Sequence, residues 1–239
     1  MAPPDPREKI KSIQTLYQPI VEIRSEKILG YEALTRGKGK HHFPKDLFRL
    51  SYEKGFTIDL DFRCLGMALR AAPRLRRKEF LFVNVEPITL SRAFKKGAQA
   101  DLLLKKLSAP SRRQIVFELT EGMKARDFAL VKKGVGLIKK SGCRFAIDDV
   151  TGIGAKLFRL LTLKPHYLKI DISLVRGIRK NRVQQGLLRR LVGLGEKNGC
   201  RLIAEGVEDK LDLALLREIG IHYAQGFYFS RPQKHLNRL

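Results

Sequence analysis

Short apolar runs alternate along this chain with segments of helical periodicity. The runs are Leu16–Val21, Ile28–Leu34, Phe80–Val85, Ile115–Leu119, Arg144–Ile147, Tyr167–Ile170, Arg201–Ala204 and Tyr223–Phe229, each of strand length. Apolar residues spaced by three and four predict helices over Leu60–Ala72, Asp101–Leu107, Phe128–Lys140, Ala155–Leu163, Gln184–Lys197 and Lys210–Ile219. Gly142, Gly199 and Gly220 stand just past three of these helices, where a left-handed C-cap is expected. Strands alternating with helices imply a mostly parallel α/β sheet, and eight units within 239 residues suit a closed (β/α)8 TIM-type barrel. Only Glu22–Lys27 separates the first two runs, too little for a crossover helix. That pair is therefore expected as a hairpin, leaving the barrel with one antiparallel strand.

Residues 1–12 are Pro-rich and charged and read as a flexible leader, with a single barrel domain over 13–239. No run approaches the roughly 18–20 apolar residues of a membrane helix, and the N-terminus lacks a signal-like apolar stretch. A cytoplasmic location is the expectation. Cys64, Cys143 and Cys200 form no CxxC pair and read as reduced thiols. The five histidines show no ligand spacing, and His41-His42 reads as part of an exposed loop. Lys and Arg outnumber Asp and Glu by 48 to 24, a formal charge of +24. Such a surface attracts polyanions, nucleic acid among them, but charge alone names no partner.

The few acidic residues cluster at strand ends. Glu32 lies in the second run and Asn84 in the third. Glu118 and Glu121 end the fourth, Asp148 and Asp149 the fifth, Lys169 and Asp171 the sixth, and Glu205 and Glu208 the seventh. Gln225 lies in the eighth. In a parallel barrel these ends meet on one face, so eight of the 24 carboxylates would converge on one mouth. A strand-end acid is often only a helix cap, and Asp171 before Ile172-Ser173 fits that role. The same habit at seven strand ends calls for a cation. Oxygen-only ligands suit one or two hard ions, Mg²⁺ or Mn²⁺, and such ions in an acidic mouth most often serve phosphoryl hydrolysis.

These residues also resemble a known family. Tyr17-Gln18-Pro19-Ile20-Val21 followed by Gly30-Tyr31-Glu32-Ala33-Leu34-Thr35-Arg36 looks like the opening of an EAL domain. Val83-Asn84, Glu118-Leu119-Thr120-Glu121, Asp148-Asp149, Leu168-Lys169-Ile170-Asp171, Ala204-Glu205-Gly206-Val207-Glu208 and Ala224-Gln225-Gly226-Phe227 match its later signatures in order. The resemblance implies a phosphodiesterase that cuts cyclic di-GMP to linear 5′-pGpG. It gives Glu32, Asn84, Glu118 and Asp148 to one metal and Asp149 to a second. Lys169 would orient or help deprotonate the attacking water, with Glu32 and Glu205 completing the catalytic shell. Arg36, Gln225 and Leu34 would face the substrate, and Glu121 would brace the loop after the aspartate pair.

Two departures from the family pattern stand out. The loop Val150-Thr151-Gly152-Ile153-Gly154-Ala155 replaces the family's Phe-Gly-Thr-Gly-Tyr-Ser, on which its second aspartate and homodimer contact depend. Glu86 stands where the family carries a small hydroxyl residue. The altered loop keeps a second reading open: a catalytically silent cyclic di-GMP receptor acting through a protein partner.

Overall fold

The structure is a computed structural model and describes residues 13–37, 44–92, 112–120 and 128–238. Eight strands close into a barrel in sequence order: β1 (Gln14–Glu22), β2 (Ile28–Arg36), β3 (Phe80–Asn84), β4 (Ile115–Thr120), β5 (Arg144–Val150), β6 (Tyr167–Ile170), β7 (Arg201–Ala204) and β8 (Tyr223–Ala224). β1 runs antiparallel to both β2 and β8, while every pair from β2 to β8 is parallel. The short Glu22–Lys27 connection therefore makes the expected hairpin. The helices are α1 (Pro44–Glu53), α2 (Thr57–Ala68), α3 (Pro87–Arg92), α4 (Phe128–Lys140), α5 (Ala155–Leu161), α6 (Ile172–Val175), α7 (Arg182–Lys197) and α8 (Lys210–Ile219).

The period of two along each strand sorts the side chains. Ile20, Phe82, Val116, Ala146, Tyr167, Ile203 and Tyr223 point inward and form one buried layer. Their alternates, such as Leu81, Phe117, Ile147 and Leu168, face the helices in a larger core. One step further along the inward rows lie Gln18, Glu32, Glu118, Asp148, Lys169 and Gln225, all buried. The same alternation that fills the barrel with apolar side chains thus stacks a polar layer on top.

Some boundaries differ from the sequence pattern. The predicted Leu60–Ala72 helix begins at Thr57 and tightens to a 3₁₀ turn over Leu69–Arg74, which contains Pro73. A proline inside the helix removes an intrahelical donor. Gly142, Gly199 and Gly220 have φ values of 86°, 66° and 98°, as a left-handed helix end requires. The Asp101–Leu107 helix, the residue 1–12 leader, His41-His42 and Glu121 lie outside the described residues. All three cysteines are buried free thiols. Among the described residues no helix is long and apolar enough to cross a membrane.

The eighth run shortens most, from Tyr223–Phe229 to a two-residue strand. Past Ala224 the Gln225 N–H still donates to the Ala204 carbonyl at 2.8 Å, and the Val207 N–H donates to the Gln225 carbonyl at 3.1 Å. A Cβ on Gly226 would lie 2.0 Å from the Val207 carbonyl oxygen. Backbone cannot yield there as a flexible side chain can. Gly226→Ala is expected to cost about 1–3 kcal/mol of stability through overpacking and to displace Gln225. Denaturant unfolding of the variant checks this, and an unchanged midpoint would contradict the close packing.

Candidate active site

Glu118, Asp148 and Lys169 reach the mouth from the C-terminal halves of β4, β5 and β6, Gln225 from just past β8, and Gln18 and Glu32 from the middle of the longer β1 and β2. Lys169, fully buried at the centre, brings its Nζ to 2.7 Å from Glu205 Oε1 and 2.9 Å from Glu118 Oε1. Asp148 Oδ1 lies at 3.2 Å and Glu32 Oε1 at 3.3 Å from the same nitrogen. Glu32 also accepts hydrogen bonds from Gln225 Nε2 at 2.6 Å and Asn84 Nδ2 at 3.3 Å. Gln225 donates further to Gln18 Oε1 at 3.0 Å, and Gln18 donates to the Ser230 carbonyl.

Adjacent residues on a strand normally face opposite ways, yet Asp148 and Asp149 both reach the mouth. A bulge explains this: Ile147 pairs with Leu168, but the next registered pair is Val150 with Ile170. Asp149 takes a left-handed φ of 57°, a conformation aspartate tolerates better than most residues. Asp148 is therefore buried and Asp149 exposed, each with a carboxylate available to the site.

One lysine among four carboxylates leaves negative charge uncompensated, and the acids show it. Burial raises Glu118 well above the usual carboxylate range despite Lys169, with Glu32 and Asp148 adding repulsion. Burial likewise raises Asp148, and it pushes Glu205 up to about 8. Glu32 resists: burial would raise it, but Lys169, Gln225 and Asn84 outweigh burial and lower it. Burial would lower Lys169, yet the surrounding carboxylates hold it well above its ordinary value.

The oxygens also fit a cation. Glu32, Glu118 and Asp148 offer carboxylate oxygens within 4.8 Å of one another, and Asp148, Asp149 and Glu205 form a second such group. Both Glu118 oxygens and Asp148 Oδ1 are buried without an aligned hydrogen bond, although Lys169 is near in charge. Such oxygens carry a desolvation cost that a divalent ion would offset.

Beside this cluster a cleft is lined by Glu32, Leu34, Asn84, Asp148 and Asp149, together with Asp61 and Glu86. Arg36 is half-buried at the end of β2 and donates to the adjacent Thr35 carbonyl at 2.8 Å. Glu86 is held at the cleft by its backbone N–H, which donates to Asp61 Oδ2 at 2.9 Å. In the loop after the aspartate pair, Val150 completes β5 and Ile153 packs on the core.

Two of the eight expected carboxylates stand outside the cluster. Asp171 caps α6, accepting from Ser173 N at 2.8 Å, and exposed Glu208 pairs with Arg176. Gln18 and Asp61 are the site residues that sequence reasoning missed. Each had a signal: Gln18 interrupts an apolar run, and Asp61 lies on the apolar face of α2 with Leu60, Cys64 and Leu65.

Burial raises the Asp61 carboxyl to about 7, and the Glu86 amide only partly offsets it. The folded state then binds a proton that the unfolded chain has lost, so this stabilising contribution is complete below about pH 4 and disappears as pH rises through 7. Asp61→Asn preserves the acceptor and should flatten unfolding free energy between pH 5 and pH 8 by roughly 2–3 kcal/mol. Urea titrations at pH 5 and pH 8 test it; identical slopes for variant and wild type would contradict the assignment.

The fold and site define a class: a TIM-type barrel whose carboxylate mouth can hold a divalent metal. The chain belongs to the EAL domain family, whose model matches residues 7–232. It is 29% identical over 222 residues to signaling protein YkoW of Bacillus subtilis, covering 90% of this chain and 28% of that protein. With cyclic di-GMP phosphodiesterase TpdA of Vibrio parahaemolyticus it shares 25% identity, covering 92% of this chain and 37% of that one. The chain thus spans well under half of these relatives. The calcium and cyclic di-GMP complex of Klebsiella pneumoniae BlrP1 superposes with a TM-score of 0.82 at 28% identity, over 100% of this chain and 60% of that one.

Proposed function

We propose that this barrel is a metal-dependent phosphodiesterase that hydrolyses cyclic di-GMP to linear 5′-pGpG. The observation that carries the reading is the buried Lys169 ammonium within 3.3 Å of four carboxylates, two of which keep orphaned oxygens. Glu32, Asn84, Glu118 and Asp148 would hold one ion, and Asp149 with Asp148 and Glu205 a second. Mg²⁺ or Mn²⁺ is the ion class these oxygens select. When bound, such ions neutralise phosphate charge and acidify a water. Lys169 fixes the carboxylates around it and carries positive charge where the phosphodiester develops negative charge. Glu205, 2.7 Å from Lys169, would complete the carboxylate shell around the attacking water. Gln225 Oε1, buried and without a partner, is an acceptor that orients water or a substrate N–H. Arg36 meets a substrate phosphate at the rim and Leu34 packs against the nucleotide.

Incubation of the purified chain with cyclic di-GMP and Mg²⁺ or Mn²⁺, followed by chromatography for pGpG, tests the reading. Product is expected, and the Glu32→Gln control should yield none. Nucleotide binding without product would instead support a receptor, the reading that the loop at 150–155 favours. α5 exposes Phe158 next to that loop, and a homodimer through this face is checked by analytical ultracentrifugation.

A further inference from the structure

The barrel is electrically lopsided. Its mouth concentrates carboxylates, whereas the opposite end, where β2 to β8 begin, gathers arginines, with Glu79 there paired to Arg238. Between the starts of β4, β5 and β6 lies a recess of about 400 Å³ lined by Arg113, Lys139, Arg144 and His166, with no carboxylate among its described lining residues. Arg112 adjoins it close enough to act on the Cys143 thiol, and its Nε is buried with no hydrogen-bond partner. His166 Nδ1 accepts the Phe145 N–H at 3.2 Å, so neutral His166 keeps its proton on Nε2 as a donor.

Part of the arrangement recurs two strands further on. Gly142-Cys143-Arg144 opens β5 and Gly199-Cys200-Arg201 opens β7; His166-Tyr167 opens β6 and His222-Tyr223 opens β8. Arg144 donates to Tyr167 Oη at 3.0 Å, and Arg201 to Tyr223 Oη at 2.6 Å. His222 Nδ1 accepts from Leu202 N as His166 does from Phe145 N. At the second seat Glu22 and Glu196 act on His222 where Lys139 acts on His166, so the recess is the phosphate seat and Arg201 adds a further cation on the same end for a ligand that repeats its charge. We propose that this end of the barrel is a docking face for the phosphate backbone of a nucleic acid, with one phosphate seated in the recess.

Among the described residues none of the exposed large apolar side chains lines the recess, so its chemistry there is that of charge rather than of a lipid-inserting surface. Arginine, abundant at this end, matches phosphate geometry with its planar fork. Burial and then the charges of Lys139 and Arg144 hold His166 below its ordinary range. A seated phosphate would reverse that influence.

The test is fluorescence anisotropy with a labelled 20-nucleotide single strand in chelator, so that no divalent ion recruits it to the mouth. With about five phosphate contacts the salt slope is roughly −3.5, or about a hundredfold weakening between about 50 and 200 mM salt. Arg112→Glu with Arg113→Glu should weaken binding at least about tenfold and lower the slope by about 1.4. Arg189→Glu with Arg190→Glu, an equal charge change on α7, should do much less. In the wild-type protein the strand should raise the His166 titration midpoint measured by NMR. Equal weakening by both double variants, an unmoved His166, or capture of phosphatidylserine vesicles in place of the strand would each overturn the proposal.

Discussion

Replacing Glu32 by glutamine is expected to reduce turnover of cyclic di-GMP by about a thousandfold or more while the barrel stays folded. Glu32 is the cluster carboxylate held most firmly ionised, because Lys169, Gln225 and Asn84 outweigh its burial. It therefore presents a ready anionic oxygen among neighbours that burial drives toward protonation. Glutamine has nearly the same shape and can still accept one of the bonds from Gln225 and Asn84, but it brings no charge to an ion. The fold should survive because Glu32 sits above the apolar layer rather than within it. Steady-state kinetics with a parallel melting curve make the measurement. Undiminished turnover in a folded variant would end the ligand assignment and the function proposed from it.

Lys169→Ala is expected to produce the second large effect, on stability as well as on rate. Four carboxylates lie within 3.3 Å of this ammonium, and none is on the open surface. Removing one partner from a buried ion cluster costs about 3–5 kcal/mol, since the other charges stay buried without compensation. The loss should be greater at pH 9 than at pH 6. Glu118, Asp148 and Glu205 already have raised carboxyl values, so protonation relieves the repulsion at low pH and that relief disappears as pH rises through those values. Added Mn²⁺ should restore much of the stability by supplying the missing positive charge. Turnover should fall far more than substrate affinity, because the lysine serves the developing charge rather than the bound ground state. Unfolding titrations with and without Mn²⁺, alongside kcat and KM, decide the matter. Equal losses in kcat and affinity would make Lys169 a phosphate contact.

Much of this was written along the chain. The period-two runs and helical spacings specify eight β/α units, and the six-residue connection after the first run specifies the hairpin, because no crossover fits in that length. Strand-end acids, read with the rule that parallel strands finish on one face, place Glu32, Glu118, Asp148, Asp149 and Glu205 together. The sequence could not separate these from Asp171 and Glu208, which share the same local pattern. Only the tertiary structure turns Asp171 into a helix cap and pairs Glu208 with Arg176. The bulge that lifts both Asp148 and Asp149 to the mouth depends on register with β6, a long-range property. The same holds for Asp61: its place on an apolar helix face was legible, but its partner is the Glu86 amide, 25 residues away. Local periodicity determined which way each side chain faces, since that follows from backbone geometry alone. The closing of the barrel decided which charges meet, because repulsion and desolvation depend on distances across the sheet that no short stretch of sequence contains.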